Sequence, residues 1–143
     1  MLLGEYEHTL DDKNRLTLPA KFRREFEDGC VLSRGLDGCV AARTPEGWAS
    51  YQESTLSTLN QLSRDQRQLH RYLLSGATDT TPDRQGRVLI PPTLLGHAKL
   101  GRDVVVAGVN DHLEIWDRDA WRRELSEVEG SAEDVAERLA QRS

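Results

Sequence analysis

The sequence predicts an α+β fold in which two tandem copies of one small β-rich module interleave into a single pseudo-twofold structure. Three observations support this prediction: an internal repeat, short apolar runs that alternate as strands do, and capping residues ahead of helical segments. The repeat is clearest where LDDKNRLTLPAKF is written beside PDRQGRVLIPPTL. At a constant offset of 72, three positions of the first run recur in the second: Asp11, Arg15 and Pro19 with Asp83, Arg87 and Pro91.

The similarity extends well beyond these two runs. Two glycine pairs recur at the same offset of 72: Gly4 with Gly76, and Gly29 with Gly101. One inserted residue then raises the offset to 73, which pairs Gly35 with Gly108 and Trp48 with Trp121. Glycine, proline, tryptophan and the apolar pattern recur in one order, which chance does not readily supply. We therefore divide the chain into a first module with a helical extension, residues 1–75, and a second module with C-terminal helices, residues 76–143.

Each copy is expected to open with a strand, a tight turn and a second strand. Asn14 and Gly86 belong to the two residue types that most readily accept a positive φ, which predicts the turn. Asp11 and Asp83, before the turns, are the expected capping residues. Alternating apolar residues predict the flanking strands. These strands are 4–10 and 15–18 in the first copy, and 76–82 and 87–90 in the second.

Two helices and a strand pair are expected next in each copy. Pro19 and Pro91 end the preceding strands and open short helices, because the first helical turn tolerates a fixed φ and a missing N–H. Thr44 and Asp117 precede longer helices as N-caps. Turns rich in Gly, Asp and Asn predict strand pairs ahead of these longer helices. The pairs are 30–34 with 38–42, and 103–107 with 112–116.

Further helices complete each copy. Ser63-Arg64-Asp65-Gln66 has the pattern of a capping box, and the helix that it starts is expected to end at Gly76. That helix presents Leu69, Tyr72 and Leu73 on one face, as core or as a subunit contact. A weaker helix is expected after Ser131. The repeated tryptophans, Trp48 and Trp121, are interpreted as core residues rather than base-stacking platforms.

The two copies are expected to share one core. A module of this size buries too little surface to be stable alone, and its short strands would leave unpaired edges. Interleaving the copies solves both problems. We therefore expect one composite β structure with helices around it.

Composition excludes several classes of protein. Hydrophobic residues make up 37% and charged residues 30% of the 143, which is typical of a globular chain. No apolar run approaches the roughly 18–20 residues that span a membrane. The first residues carry no basic segment followed by a long apolar stretch. We expect a cytoplasmic protein with no membrane partner.

The net charge of −5 hides a basic segment. Residues 11–24 contain five cations against two carboxylates: Lys13, Arg15, Lys21, Arg23 and Arg24 against Asp11 and Asp12. A binding partner responds to the local field within about one Debye length, ~8–10 Å, rather than to the sum. An acidic chain can therefore still present a basic face.

Neither a metal site nor an active site is predicted. The four histidines are scattered, and none is spaced from a cysteine or another histidine as zinc ligands are. Cys30 and Cys39 are expected to stay reduced inside the cell. The sequence contains no nucleophile elbow, P-loop or dinucleotide fingerprint. We expect no cofactor and no catalysis.

Arg15 and Arg87 are the candidate functional residues. Each could simply be a solvated residue at the start of a strand, paired with its own Asp across the turn. However, the arginine recurs where most surface residues differ, it follows a tight turn, and in the first copy cations flank it. A guanidinium can bond guanine O6 and N7 in the major groove while nearby lysines neutralise phosphates. The motif therefore points to DNA.

These residues resemble those of the MraZ family of bacterial transcriptional regulators. The resemblance covers most of the chain, including MLLGEYEHTLDDKNRLTLPAKFR, LSGATDTTPD and DRQGRVLIPPTLL. The family's signature is a doubled Asp-x-Lys-Gly-Arg turn. The matching residues are Asp11, Lys13 and Arg15 in the first turn, and Asp83, Gly86 and Arg87 in the second. Asn14 stands where glycine is usual, and Gln85 stands where lysine is usual.

The resemblance implies a fold, a function and an assembly. The fold would be a swapped-hairpin β-barrel of the SpoVT–AbrB type, built from two such modules and flanked by helices. The function would be regulation, at the nucleoid, of the promoter of the division and cell-wall gene cluster through short direct repeats. The assembly would be a ring of about eight subunits. Arg15, Arg87, Lys13, Lys21, Arg23, Arg24 and Gln85 would contact the DNA, with a smaller contribution from the second turn because Gln85 lacks a charge. The alternative is an antitoxin-like structural or protein-binding module that does not recognise a DNA sequence.

Overall fold

A computed structural model describes residues 1–142, which form two antiparallel sheets and five α-helices. The strands are β1 (Leu2–Thr9), β2 (Arg15–Thr17), β3 (Cys30–Arg34), β4 (Val40–Arg43), β5 (Thr78–Thr80), β6 (Arg87–Leu89), β7 (Asp103–Asn110) and β8 (Leu113–Asp117). The helices are α1 (Pro45–Ser54), α2 (Arg64–Ser75), α3 (Pro92–Ala98), α4 (Arg118–Glu129) and α5 (Ala132–Gln141). Short 3₁₀ helices cover Ala20–Phe22 and Leu56–Thr58. The predicted α+β class is confirmed.

Each copy contributes its first strand to the other copy. In the six-stranded sheet, β1 of the first copy pairs with β7, and β5 of the second copy pairs with β3. The strands β4 and β8 join the two halves, which gives the order β1-β7-β8-β4-β3-β5. The copies are thus interleaved. The sheet is not closed into a barrel, because β1 and β5 are its edge strands.

The remaining two strands pair with each other across the copies. Arg15 of β2 lies opposite Leu89 of β6, Leu16 opposite Val88, and Thr17 opposite Arg87. Successive side chains of a strand point to opposite faces. Leu16 and Val88 therefore point inward and are buried, while the other four side chains share the outer face. We call this two-stranded element the ribbon.

The core lies between the inner face of the six-stranded sheet and the ribbon. One cluster contains Leu16 and Val88 of the ribbon, residues on either side of the two prolines, and alternate residues of the sheet: Leu18, Phe22, Ile90, Leu94, Leu32, Val40, Val104, Val106, Leu113 and Ile115. Tyr6 of β1 meets Phe22 edge-on, with 5.4 Å between ring centroids. The ribbon is therefore fixed by apolar burial.

Helix boundaries follow the predicted caps in most places. Thr44 and Asp117 accept from the backbone N–H groups of Gly47 and Ala120, and α2 ends at Gly76. Ser63 accepts from Gln66, but the return bond of the capping box is not made, because Gln66 accepts from Asn60 instead. The strand predicted over 76–82 is shorter, because only Thr78–Thr80 pair with β3. None of the helices within residues 1–142 has the length and apolar character needed to cross a bilayer.

The interpretation of the repeated tryptophans as core residues was wrong. Trp48 and Trp121 are only partly buried, and α1 and α4 contain no buried residue. Both helices contact the sheet face that points away from the core, through Arg43 and Trp116, since the strand neighbours Ala42 and Ile115 of these residues belong to the core. Trp121 packs at 5.6 Å from Trp116 and donates from Nε1 to Glu5. Of the predicted apolar stripe on α2, Leu73 is buried and Leu69 and Tyr72 are exposed.

Candidate nucleic-acid interface

The first turn is organised by the carboxylate of Asp11. Its Oδ1 accepts from the backbone N–H groups of Lys13 at 2.9 Å and Arg15 at 2.8 Å. The Asn14 N–H donates to the Asp11 carbonyl at 3.0 Å, and Asn14 has a φ of 60°. A short side chain that accepts backbone donors two and four residues ahead fixes the turn locally.

The second turn repeats this geometry almost atom for atom. Oδ1 of Asp83 accepts from the N–H groups of Gln85 and Arg87, both at 2.9 Å. The Gly86 N–H donates to the Asp83 carbonyl at 2.9 Å, and Gly86 has a φ of 77°. Asn14 and Gly86 are thus equivalent positions with the same backbone conformation.

Each aspartate also holds the arginine that follows it. Nε of Arg15 donates to Oδ2 of Asp11 at 2.7 Å, and Arg87 makes the same contact with Asp83 at 2.7 Å. This is the pairing across the turn that a merely structural arginine would make. The Nη atoms of both arginines have no hydrogen-bond partner within residues 1–142. The side chains of Arg15 and Arg87 remain 31% and 29% exposed, so the pairing orients each guanidinium and leaves its outer edge accessible.

The turn carboxyls are stabilised in their charged form. The backbone N–H of Arg15 is the largest cause that holds the pKa of Asp11 below its ordinary value, and the Arg15 guanidinium adds to it. The Arg87 N–H acts in the same way on the pKa of Asp83. Both carboxylates therefore stay ionised, and keep their arginines oriented, at neutral pH.

The two guanidinium groups share one surface. The ribbon register places Arg15 and Arg87 diagonally on its outer face, where such neighbours are about 7–8 Å apart. Thr17 and Leu89 complete the face, and Leu89 is exposed. The surface is therefore a two-stranded β element with one arginine near each end.

The predicted position of the flanking cations needs correction. Arg23 and Arg24 were expected beside Arg15, but they lie against the second turn. Nε of Arg23 donates to the Leu18 carbonyl at 3.0 Å, and the Leu18 N–H donates to the Gly86 carbonyl at 2.9 Å. The two copies are interleaved, so the last residue of β2, Thr17, lies opposite Arg87, next to the second turn. The residues that follow β2, including Arg23 and Arg24, therefore lie beside that turn. Lys21 is exposed on the 3₁₀ helix beside them.

Arg23 covers Gly86 so closely that a side chain there would require Arg23 to move. A Cβ at Gly86 would lie 2.8 Å from Cδ and Nε of Arg23. Gly86 is buried, whereas Asn14 is exposed. This difference explains why the first turn can contain asparagine while the second contains glycine.

The two turns differ in their charged surroundings. A cleft beside the second turn is lined by three arginines, Arg23, Arg24 and Arg84, together with Asp83 and Glu27. A cleft beside the first turn is lined by Asp11, Asp12 and Arg102, and Arg102 lies 3.8 Å from Asp12. Neither Arg84 nor Arg102 is among the DNA-contacting residues predicted from the sequence. Arg84 was visible inside the repeated turn, whereas Arg102 reaches the first turn only through the fold.

No arrangement for metal binding or thiol chemistry is found in residues 1–142. His, Cys, Asp and Glu side chains there form no group of three that could hold a metal ion. Cys30 and Cys39 are buried free thiols, and burial raises the pKa of each to about 12. Within the described part of the chain, the ribbon and its turns remain the candidate site.

Comparison with known sequences bears directly on this site. The sequence model of a family described as "MraZ protein, putative antitoxin-like" matches residues 1–71 and again residues 73–143. The chain is 45% identical over 141 residues to the transcriptional regulator MraZ of Roseiflexus sp. (strain RS-1), covering 99% of this chain and 98% of that protein. It is 42% identical over 139 residues to the proteins of the same name from Thermoanaerobacter pseudethanolicus and Ligilactobacillus salivarius, covering 97% of this chain and 96% of each relative.

Proposed function

The chain belongs to the MraZ family, and from this premise we propose that it is a sequence-specific DNA-binding transcriptional regulator. The proposal depends on one observation: Arg15 and Arg87 share the outer face of a two-stranded ribbon, each held by an aspartate through Nε. The outer Nη edges would meet base edges in the groove.

The chemistry of this face suits a major groove. A two-stranded β-ribbon fits that groove, and an arginine can bond O6 and N7 of guanine with two N–H groups. Because an aspartate already holds Nε, each arginine side chain loses less conformational entropy when it binds DNA. Two oriented guanidinium groups would thus recognise a short G-containing element, with one arginine at each end.

Phosphate contacts would supply much of the affinity. Arg23, Arg24 and Arg84 line the cleft beside the second turn, and Lys13 is exposed on the first. Each cation that neutralises a phosphate releases a counterion, so binding should weaken steeply with salt. The sequence suggested a weaker second turn because of Gln85. We propose instead that the second turn contributes more of the affinity, because Arg23 and Arg24 of the first copy lie beside it.

The wider assembly follows from the family. We propose that the copies, divided near residues 75 and 76, form a swapped-hairpin unit, and that about eight subunits form a ring in the cytoplasm, at the nucleoid. Such a ring would bind direct repeats upstream of the division and cell-wall gene cluster. One turn with one or two base contacts binds weakly, whereas linked turns raise the effective concentration of one another.

The test is a mobility-shift titration with DNA from upstream of the protein's own gene. Arg15→Ala and Arg87→Ala should each weaken binding by about tenfold to a hundredfold, because a bidentate contact to guanine is worth about 1–3 kcal/mol. Arg122→Ala is the matched control, since Arg122 is an exposed arginine on α4. The size of the oligomer should not change in any variant.

Two outcomes would contradict the proposal. If both ribbon variants bind as tightly as the parent, the arginines do not contact bases. If the parent shows no preference for its own upstream DNA over an unrelated duplex at physiological salt, the antitoxin-like module that binds protein replaces the regulator.

A further inference from the structure

A cavity lies on the opposite side of the six-stranded sheet from the ribbon. Its volume is about 200 Å³, and its wall includes Arg43, Tyr51, His112 and Glu114 together with residues 35–37 of the β3–β4 turn. Neighbours of Arg43 in β4, Val40 and Ala42, belong to the core. The alternation of side chains then places Arg43 on the outer face. This cavity is separate from the proposed DNA surface.

Arg43 is a buried cation that lacks a polar partner. The residue is 8% exposed, and its Cζ lies 3.8 Å above the ring of Tyr51. Within residues 1–142 its guanidinium makes no hydrogen bond and no ion pair. A guanidinium carries five N–H donors, and those of Arg43 open to the cavity, since no Arg43 nitrogen is among the described side-chain atoms that are sealed from solvent without a partner. Burial accordingly lowers the pKa of Arg43.

Of the two carboxylates in the wall, Asp37 is exposed on the β3–β4 turn, and Glu114 is bound to other groups. His112 lies between Asp111 at 2.6 Å and Glu114 at 3.1 Å. Glu114 also accepts from Nε1 of Trp116 at 3.1 Å. These contacts hold Glu114 toward His112 and Trp116. The donors of Arg43 that face the cavity are therefore available to an acceptor from outside the chain.

The cavity is not a feature of the repeated module. At the offset of 73, Trp116 corresponds to Arg43, and Ala41 corresponds to Glu114. His112 corresponds to Cys39 in the same way. The module therefore does not need an arginine at this position in order to pack, because the second copy has Trp116 there.

We propose that this cavity binds a small oxyanion, a carboxylate or phosphate group of a metabolite, through the guanidinium of Arg43. The planar guanidinium edge matches two oxygens of such a group in a bidentate contact. The Tyr51 ring, 3.8 Å from Cζ of Arg43, restricts the position of the guanidinium. The site lies outside the DNA surface and does not depend on DNA binding.

The experiment measures thermal unfolding of the full-length protein in acetate, inorganic phosphate or chloride at equal ionic strength. Acetate or phosphate at ten times its Kd should raise the Tm of the parent by about 3–6 °C above chloride. Arg43→Met should lose this shift, because it removes the guanidinium that would bind the anion. Calorimetric titration of the parent should give one site per chain.

Matched variants separate the cavity from other anion sites. Arg118→Met removes another largely buried arginine, which lines a different cavity, and should keep the anion response. Arg15→Gln combined with Arg87→Gln should also keep it. A response to acetate alone identifies a carboxylate ligand, and a response to phosphate alone identifies a phosphate ligand.

Three results would overturn the proposal. The first is a parent that is stabilised no more by acetate or phosphate than by chloride. The second is an Arg43→Met protein, or Arg43→Gln should the first variant not fold, that keeps the full anion response. The third is a response that disappears with the two ribbon arginines instead.

Discussion

The first and second turns have the same backbone and different surroundings. In both, one aspartate accepts two backbone N–H groups and an arginine Nε at nearly equal distances. Around them, the first turn faces Asp12 and Arg102, whereas the second faces Arg23, Arg24 and Arg84. Local sequence therefore specifies each turn, and the other copy contributes much of what surrounds it.

The comparison also shows how a repeat can diverge without losing its geometry. Asn14 is exposed and Gly86 lies beneath Arg23, although both have a positive φ. Gln85 carries no charge, and Arg23 and Arg24 of the first copy lie beside its turn. Substitutions in one copy are thus balanced by residues of the other, since the copies share one ribbon.

The largest expected effect comes from removing the cations of one turn. Arg24→Gln combined with Arg84→Gln should reduce DNA affinity by about a hundredfold near 0.1 M salt, and should reduce the slope of log K against log salt by about 2. Lys13→Gln combined with Arg102→Gln should reduce affinity less, because Arg102 is near Asp12. Fluorescence anisotropy at several salt concentrations measures both quantities. Equal losses for the two double variants would show that the turns contribute equally.

A smaller effect is expected from the residue with positive φ. Gly86→Ala should lower the free energy of unfolding by about 1–2 kcal/mol from backbone strain, and by more where Arg23 must move. Asn14→Ala should lower it by about 1 kcal/mol, since Asn14 is exposed and asparagine tolerates a positive φ better than alanine does. Denaturant unfolding gives both values. Adding Arg23→Ala to Gly86→Ala should recover part of the lost unfolding free energy. If the effects of the two substitutions on that free energy are fully additive, contact between the residues is not the cause of the extra loss.

The smallest effect concerns His112, which stands where the first copy has Cys39. Its hydrogen bond to Glu114, followed by that to Asp111, holds the pKa of His112 above its ordinary value of 6.5. A raised folded-state pKa means that the stabilisation is complete below pH 6.5 and is lost as the pH rises through that raised value. His112→Gln should therefore lower the free energy of unfolding by about 1 kcal/mol at pH 6.

The difference between parent and His112→Gln should shrink at higher pH, which unfolding at several pH values will test. Glu114→Gln is the informative partner variant, since Glu114 makes the larger contribution to the raised pKa of His112. Glu114→Gln alone should remove most of the pH dependence of the unfolding free energy that His112 causes. A difference between parent and His112→Gln that stays constant from pH 6 to pH 9 would exclude the ion pair as its origin.

Local patterns in the sequence were sufficient for most elements. The caps at Thr44 and Asp117 and the end of α2 at Gly76 all depend on neighbours along the chain. The prediction was wrong where a side chain's surroundings come from distant residues. Trp48 and Trp121 look like core residues in sequence, yet their helices cover the outer face of the sheet.

The sequence by itself determined that the module is duplicated and that each copy carries an aspartate-organised turn followed by an arginine. The turns follow from hydrogen bonds within five consecutive residues, which any arrangement of the copies would preserve. Tertiary structure decided that the arginines share one ribbon face, that Arg23 and Arg24 accompany the second turn, and that Arg43 faces a cavity. Pairing between strands distant in sequence sets these relations, and such pairing depends on the whole core rather than on any local pattern.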